Sequence, residues 1–291
     1  IRDSRCVVPD LVGFGRSDKP ADMETHSYAM HVEAMTELVK AVDLRNCTFF
    51  GQDWGGLIGL RVVAENEDRF ARVVVSNTGL PTGDKVSEGF KQWQEMNRQM
   101  IAKREFDIGR MMAGMVRDPS IAAAYDAPYP DNDYKAGPFI MPQLVPASPD
   151  NPAREANVKA WEVFAKWEKP LLTAFGDKDP ITGGGERIFQ RTVPGAQGQP
   201  HVTVEGAGHF IQETHGKELA TIINEVTQTR NQASSEVNEA NKQKIIDAGG
   251  KVRTLTDEQR EAWVKALQPV WKKFERDIGS DLLAAAQASN N

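Results

Sequence analysis

The chain has 291 residues, 40% of them hydrophobic and 26% charged, with a net charge of −6. This is an ordinary globular balance for one large domain or two small ones, and the negative charge argues against nucleic-acid binding as the main role. No apolar run approaches the roughly 20 residues of a membrane span, and the polar start Ile1-Arg2-Asp3-Ser4-Arg5 does not read as a signal peptide.

In chain order, short apolar runs alternate with helical patterns, which indicates βα units and a parallel sheet. A first strand is expected at 5–9. A helix follows over 27–42, with a stripe through Met30, Ala34, Leu38 and Val42. Strands are expected at 47–51 and 72–76, with a helix over 55–66 between them. From 79 the pattern changes to helical stretches rich in Met, Trp and Phe. These are followed by a Pro-rich stretch over 127–152 that reads as irregular chain. Further strands are expected at 171–175 and 201–204. The polar segment 229–237 reads as a linker. Beyond it a helix begins with the capping box Thr256/Gln259 and carries Trp263, Leu267, Val270, Trp271 and Phe274 on one face. Cys6 and Cys47 fall in two of the strand candidates and are expected to be buried, reduced core residues. No Cys/His spacing suggests a metal, and no cofactor is implied.

The segment Gly51-Gln52-Asp53-Trp54-Gly55-Gly56 directly follows the apolar run Cys47-Thr48-Phe49-Phe50. It has the Gly-x-nucleophile-x-Gly pattern of the strand-to-helix turn in α/β hydrolases, with Asp53 where Ser is usual. A carboxylate can attack an sp³ carbon and form an ester. The Trp54 indole N–H, a donor that cannot accept, suits an anionic leaving group. In this fold the chain order is nucleophile, acid, histidine. Of the five histidines, His209 lies in a Gly-rich loop after the last strand candidate and is the expected base. Asp177 and Asp179 both follow the 171–175 run. Gly-x-x-Asp favours Asp179 as the acid and leaves Asp177 to the turn. The rival acid position, Ser76-Asn77-Thr78-Gly79, offers no carboxylate. A second indole donor would come from the 79–168 insertion, and placement favours Trp93 over Trp161 and Trp167.

These stretches resemble the haloalkane dehalogenases. The resemblance runs through Val8-Pro9-Asp10-Leu11-Val12-Gly13-Phe14-Gly15-Arg16-Ser17-Asp18-Lys19-Pro20 and the Asp53 turn. It continues through Tyr125-Asp126-Ala127-Pro128-Tyr129-Pro130 and Leu144-Val145-Pro146-Ala147-Ser148-Pro149-Asp150, to Gly208-His209-Phe210-Ile211-Gln212-Glu213. It implies an α/β-hydrolase fold over 1–228, with core at 1–78 and 169–228 and a cap at 79–168. It also implies a small halogenated alkane as substrate and halide as product. Asp53 would be the nucleophile, Trp54 and Trp93 the halide donors, His209 the base and Asp179 its orienting acid. A monomer acting without membrane or nucleic acid is expected.

Two departures from the family are expected. The chain starts late, without the first three strands and the His-Gly loop that supplies one oxyanion donor; the backbone N–H of Trp54 supplies the other. The 5–9 strand would then either shift inward to pair with 47–51 or leave a gap. Beyond the linker, in the linker-and-tail region 229–291, the tail from about 235 to 291 resembles the C-terminal end of periplasmic solute-binding proteins of TRAP transporters, through the run from Asn241 to Val252, Leu255 to Arg260 and Pro269 to Phe274. It is too short for two lobes, so no solute binding is expected. The catalytic region suggests the cytoplasm and the tail the periplasm. Two other readings stand beside the dehalogenase: an epoxide hydrolase, with Tyr125, Tyr129 and Tyr134 in the cap, and a non-enzymatic solute-binding protein.

Overall fold

A computed structural model of the chain describes residues 5–278, apart from 85, 105–106, 117–118 and 254; the side chains of 119, 225–238, 241 and 271–278 also lie outside the description. The chain divides into two units, Ile1–Gln228 and Thr229–Asn291.

The first unit is built on four parallel strands in the order β1 (Cys47–Gln52), β2 (Phe70–Ser76), β3 (Leu171–Gly176) and β4 (Val202–Val204). Parallel strands need crossover connections, and helices supply them on both faces of the sheet. Successive residues of β2 accordingly face opposite cores. Val73 and Val75 pack with α1 (Tyr28–Ala41) and α2 (Asp53–Glu65), through Tyr28, Val32, Leu60 and Val63. Val74 packs with Leu172, Val204, Ile211 and Leu219 on the other side. The same alternation splits Leu171 from Leu172. Burial on both faces explains why these strands read as unbroken apolar runs.

Between β2 and β3 lie the helices α3 (Glu88–Lys103), α4 (Ile108–Ala113), α5 (Ala136–Leu144) and α6 (Arg154–Phe164). Ile108, Met112, Val116, Ala122 and Phe139 form a separate small core there, with Trp93 and Phe210 against it. After β3 come α7 (Glu186–Thr192), β4 and α8 (Ile211–Asp247), the last interrupted by non-helical angles at His215.

Several local expectations are corrected. Residues 5–9 form no strand and are exposed, and no strand lies beyond β1 among the described residues. The run therefore neither shifts inward to pair with 47–51 nor forms a strand elsewhere, and Cys6 is exposed rather than core. Cys47 is half-buried on the edge strand. Helix α1 forms, but it buries Tyr28, His31, Val32, Thr36 and Val39, not the Met30–Val42 stripe. The buried face includes a histidine and a threonine, which a hydrophobic stripe passes over. The 127–152 stretch contains α5, with Pro138 in its first turn, where a missing N–H costs little, and Pro142 inside the helix, where one backbone hydrogen bond is lost.

In the second unit the 229–237 segment is helical, within α8, rather than an irregular linker. It has neither Gly nor Pro, so nothing in it stops a helix. Helix α9 (Asp257–Ile278) begins with a reciprocal capping box. Gln259 N–H donates to Thr256 Oγ1 at 3.3 Å, and Thr256 N–H donates to Gln259 Oε1 at 3.1 Å. Trp263, Leu267 and Val270 are exposed on α9, while the side chains of Trp271 and Phe274 lie outside the described residues. No helix among the described residues is long and apolar enough to cross a membrane.

Candidate active site

The carboxyl ends of all four strands converge. β1 runs into Asp53, β2 into Asn77, β3 into the Asp177–Asp179 turn, and β4 into the loop of His209. In open parallel sheets this end is where ligands bind.

Asp53 has φ +48°, a left-handed conformation that is costly for a side chain. Its neighbours over-determine it. The Asp53 N–H donates to Asn77 O at 3.0 Å, and Thr78 Oγ1 donates to Asp53 O at 2.7 Å. The turn is tight enough that a Cβ on Gly51 would stand 2.7 Å from Gly56 Cα, so the flanking glycines are needed. The carboxylate thus sits above the sheet at the start of α2, with about a third of its side chain exposed.

His209 lies between two carboxylates. Its Nδ1 is 3.0 Å from Asp179 Oδ2 and 3.1 Å from Oδ1, and its Nε2 is 3.2 Å from Asp53 Oδ1. The Asp179 side chain is fully buried. Its Oδ1 also accepts from the Ile181 N–H at 2.8 Å, and Thr182 Oγ1 donates to Oδ2. Burial pushes the Asp179 carboxyl up, but the His209 hydrogen bond and charge, with Thr182 and Ile181, bring it below its ordinary 3.8. Burial alone would lower His209. Hydrogen bonds to Asp179 and Asp53, with both charges, outweigh burial and raise the ring to about 10. The two carboxylates favour the protonated ring, which donates to both when it is an imidazolium.

The remaining candidates separate by their contacts. Asp177 Oδ1 accepts from Gly206 N–H at 2.6 Å, and the side chain pairs with Lys178 at 3.2 Å, which ties the β3 and β4 turns together. His201 Nδ1 accepts from Thr173 N–H at 3.1 Å at the far end of β4. His26 and His31 stack 5.8 Å apart, away from the strand ends.

A cavity of about 1240 Å³ opens over Asp53 and His209. Trp54, Trp93, Trp161, Leu57, Phe90 and Met112 are among the side chains that line it. The Trp161 N–H is spent on Leu80 O at 2.7 Å. Neither Trp54 nor Trp93 has a protein acceptor for its indole N–H among the described residues. The Trp54 ring is held edge-on by Tyr28 at 5.2 Å. Tyr125 and Tyr129 also line the cavity, but the Tyr125 hydroxyl donates to Glu213. No cluster of three or more metal-ligating side chains occurs among the described residues.

Sequence reasoning passed over three supporting residues. Gln52 Nε2 donates to His209 O at 3.0 Å. Asn77 Nδ2 donates to Gly208 O and His209 O. Thr182 donates to Asp179. Gln52 and Asn77 were findable as polar residues at strand ends inside otherwise apolar runs.

The alpha/beta hydrolase fold family matches residues 2–113. A haloalkane dehalogenase of Psychrobacter cryohalolentis is 49% identical over 223 residues, which is 75% of this chain and 73% of that protein. One of Mycobacterium marinum is 46% identical over 75% of this chain and 74% of its own length. The structure of the haloalkane dehalogenase DpaA from Paraglaciecola agarilytica, described as tetrameric, superposes with a TM-score of 0.67 at 32% identity, over 73% of this chain and 71% of that one. Residues 211–277 match bacterial extracellular solute-binding protein family 7. The C4-dicarboxylate-binding periplasmic protein DctP of Vibrio cholerae is 63% identical over 73 residues, which cover 25% of this chain and 22% of that protein. With parallel strands ending in a carboxylate turn and relatives of this kind over three quarters of its length, the chain belongs to the haloalkane dehalogenases, α/β hydrolases that act on carbon–halogen bonds.

Proposed function

We propose that Asp53, His209 and Asp179 carry the hydrolysis of a haloalkane, with Trp54 and Trp93 as the halide donors. A carboxylate Oδ of Asp53 attacks the carbon bearing the halogen. The C–X bond breaks, and the halide leaves with the bonding pair toward the two indole N–H groups, forming an alkyl ester on Asp53. Water then loses a proton to His209 Nε2 and adds to the ester carbonyl. The oxyanion that forms lies at the amino end of α2, near the Trp54 backbone N–H. Collapse releases the alkoxide, His209 returns the proton, and the alcohol departs.

The carrying observation is the contact of one imidazole with two carboxylates in an apolar cavity. It also supports an order of proton movements. In the resting site the imidazolium is held by two negative charges. Ester formation neutralises Asp53, removes one of them, and lets the ring lose its proton to solvent and act as a base. The sum is RX + H₂O → ROH + X⁻ + H⁺, which balances.

The used hydroxyl of Tyr125 counts against the epoxide hydrolase reading, which needs free cap tyrosines to protonate an epoxide oxygen. We take the 79–168 insertion as the cap that supplies Trp93, and the chain as a monomer; light scattering tests the latter. The site reading is tested by mixing the protein with 1,2-dibromoethane and measuring the intact mass. The Asp179→Asn variant, in which ester hydrolysis is slowed, is mixed in the same way: a bromoethyl adduct that maps to Asp53 supports the reading, and halide release by that variant without any adduct refutes it.

A further inference from the structure

Asn77 is the first residue after β2 and is fully buried. It touches all three segments that bring the site together. Its carbonyl accepts from the Asp53 N–H at 3.0 Å. Its Oδ1 accepts from the Gly176 N–H at 2.8 Å, at the end of the strand that leads to Asp179. Its Nδ2 donates to Gly208 O at 2.7 Å and to His209 O at 2.9 Å. All four are hydrogen bonds of ordinary length, and both ends of the buried amide are used. Its φ of +38° is one that Asn tolerates better than most residues.

The contacts fall into two groups. The nucleophile is held by the backbone of Asn77, a contact available to any residue at this position. The acid strand and the base loop are held by the side chain alone. A carboxamide offers two donor hydrogens to two carbonyls and an acceptor to one N–H at once, which a carboxylate cannot do. Without it, the His209 loop keeps the Gln52 bond to His209 O at 3.0 Å. The loop would also keep the Gly206 N–H bond to Asp177 Oδ1 at 2.6 Å and the Lys178 N–H bond to Ala207 O at 3.0 Å, but beside the ring only Gln52 would hold it, free to pivot at His209 rather than to detach.

We propose that Asn77 is a positioning residue for the second half-reaction: its carboxamide sets the His209 ring against water and the ester carbonyl, and displacement of halide by Asp53 does not depend on it. This rests on the roles given above to Asp53, His209 and Asp179. Ester formation needs the carboxylate and the halide donors, none of which the carboxamide touches. Ester hydrolysis needs the imidazole placed to within a fraction of an ångström, and misplacement of that order costs about 10–100-fold.

The experiment is rapid-quench mixing of full-length wild type, Asn77→Gly and Asn77→Asp with 1,2-dibromoethane, following bromide and the bromoethyl adduct on Asp53 by intact mass. Asn77→Gly keeps access to positive φ and removes the carboxamide. Asn77→Asp keeps the volume and an acceptor for Gly176 and removes the donors. Rates are taken per ester-forming site, so any misfolded fraction drops out. The expected result is ester formation within about threefold of wild type, with hydrolysis slowed about 10–100-fold, so that bromide appears as a burst of one equivalent and then slowly. Hydrolysis at the wild-type rate in both variants overturns the proposal. So does an equal fall in both steps, or loss of ester formation in both variants while wild type forms it, because Asn77 would then support the site as a whole. A wild type that yields neither ester nor bromide overturns the reading of Asp53 instead, which is a distinct result.

Discussion

Nε2 of His209 stands 3.2 Å from Oδ1 of Asp53. The proposed base is therefore in contact with the proposed nucleophile before any substrate arrives, and the pair shares a proton and a charge. The first expected consequence is electrostatic. In Asp53→Asn the ring keeps Asp179 but loses the second carboxylate, so its titration moves down from about 10 toward the ordinary range for histidine. Imidazole NMR of the two proteins checks the direction.

The same coupling predicts when the proton leaves. If ester formation releases the imidazolium proton, a pH indicator should report a burst of about one proton per site at the rate of ester formation, ahead of alcohol release. Proton release at the slower rate of hydrolysis would place the base in its neutral form from the start.

Asp179→Asn should preserve ester formation and slow its hydrolysis by about 10²–10⁴-fold, because the imidazole loses the group that orients it and stabilises its charge. The adduct on Asp53 should accumulate to near one per site.

The indoles separate by their hydrogen bonds. Trp54→Phe and Trp93→Phe each remove an indole N–H that has no acceptor among the described residues, from a side chain that lines the cavity, and each should lower the rate of halide release by about 10²-fold. Trp161→Phe removes an N–H already bonded to Leu80 O. It should lower the melting temperature and leave bromide affinity, read by titration, near that of wild type.

His31 is fully buried with no hydrogen-bond partner on either ring nitrogen among the described residues, and burial, helped by His26, lowers its titration to about 4. A histidine whose folded value is depressed contributes stability above its unfolded value of 6.5, and that contribution is lost as pH falls from 6.5 toward 4. His31→Leu should therefore remove about 2 kcal/mol of the acid-induced loss between pH 7 and pH 4.5, measured as the difference in urea unfolding between variant and wild type.

What could be read from the sequence is what is encoded locally. The four strands of the sheet correspond to the runs at 47–51, 72–76, 171–175 and 201–204; for the inner pair, β2 and β3, burial on both faces demands an apolar run. The Asp53 turn is six consecutive residues, and the order nucleophile, acid, histidine follows the chain. The 5–9 run has the composition of a strand, but a strand exists only if another pairs with it, and pairing is not local. The buried face of α1 departs from the hydrophobic stripe because His31 and Thr36 occupy core positions that such a stripe excludes. In the sequence Asn77 shows only the lack of a carboxylate at the rival acid position. Its side-chain partners lie 99 to 132 residues away, and no spacing rule connects them.

The central claim is that Asp53 is the nucleophile of a dehalogenation. It is tested most directly by bromide release from 1,2-dibromoethane by the purified full-length chain beside Asp53→Asn. Sustained release by the wild type that is lost in Asp53→Asn is the predicted result. Equal release by both proteins, or none from wild-type chain that unfolds cooperatively, would contradict it.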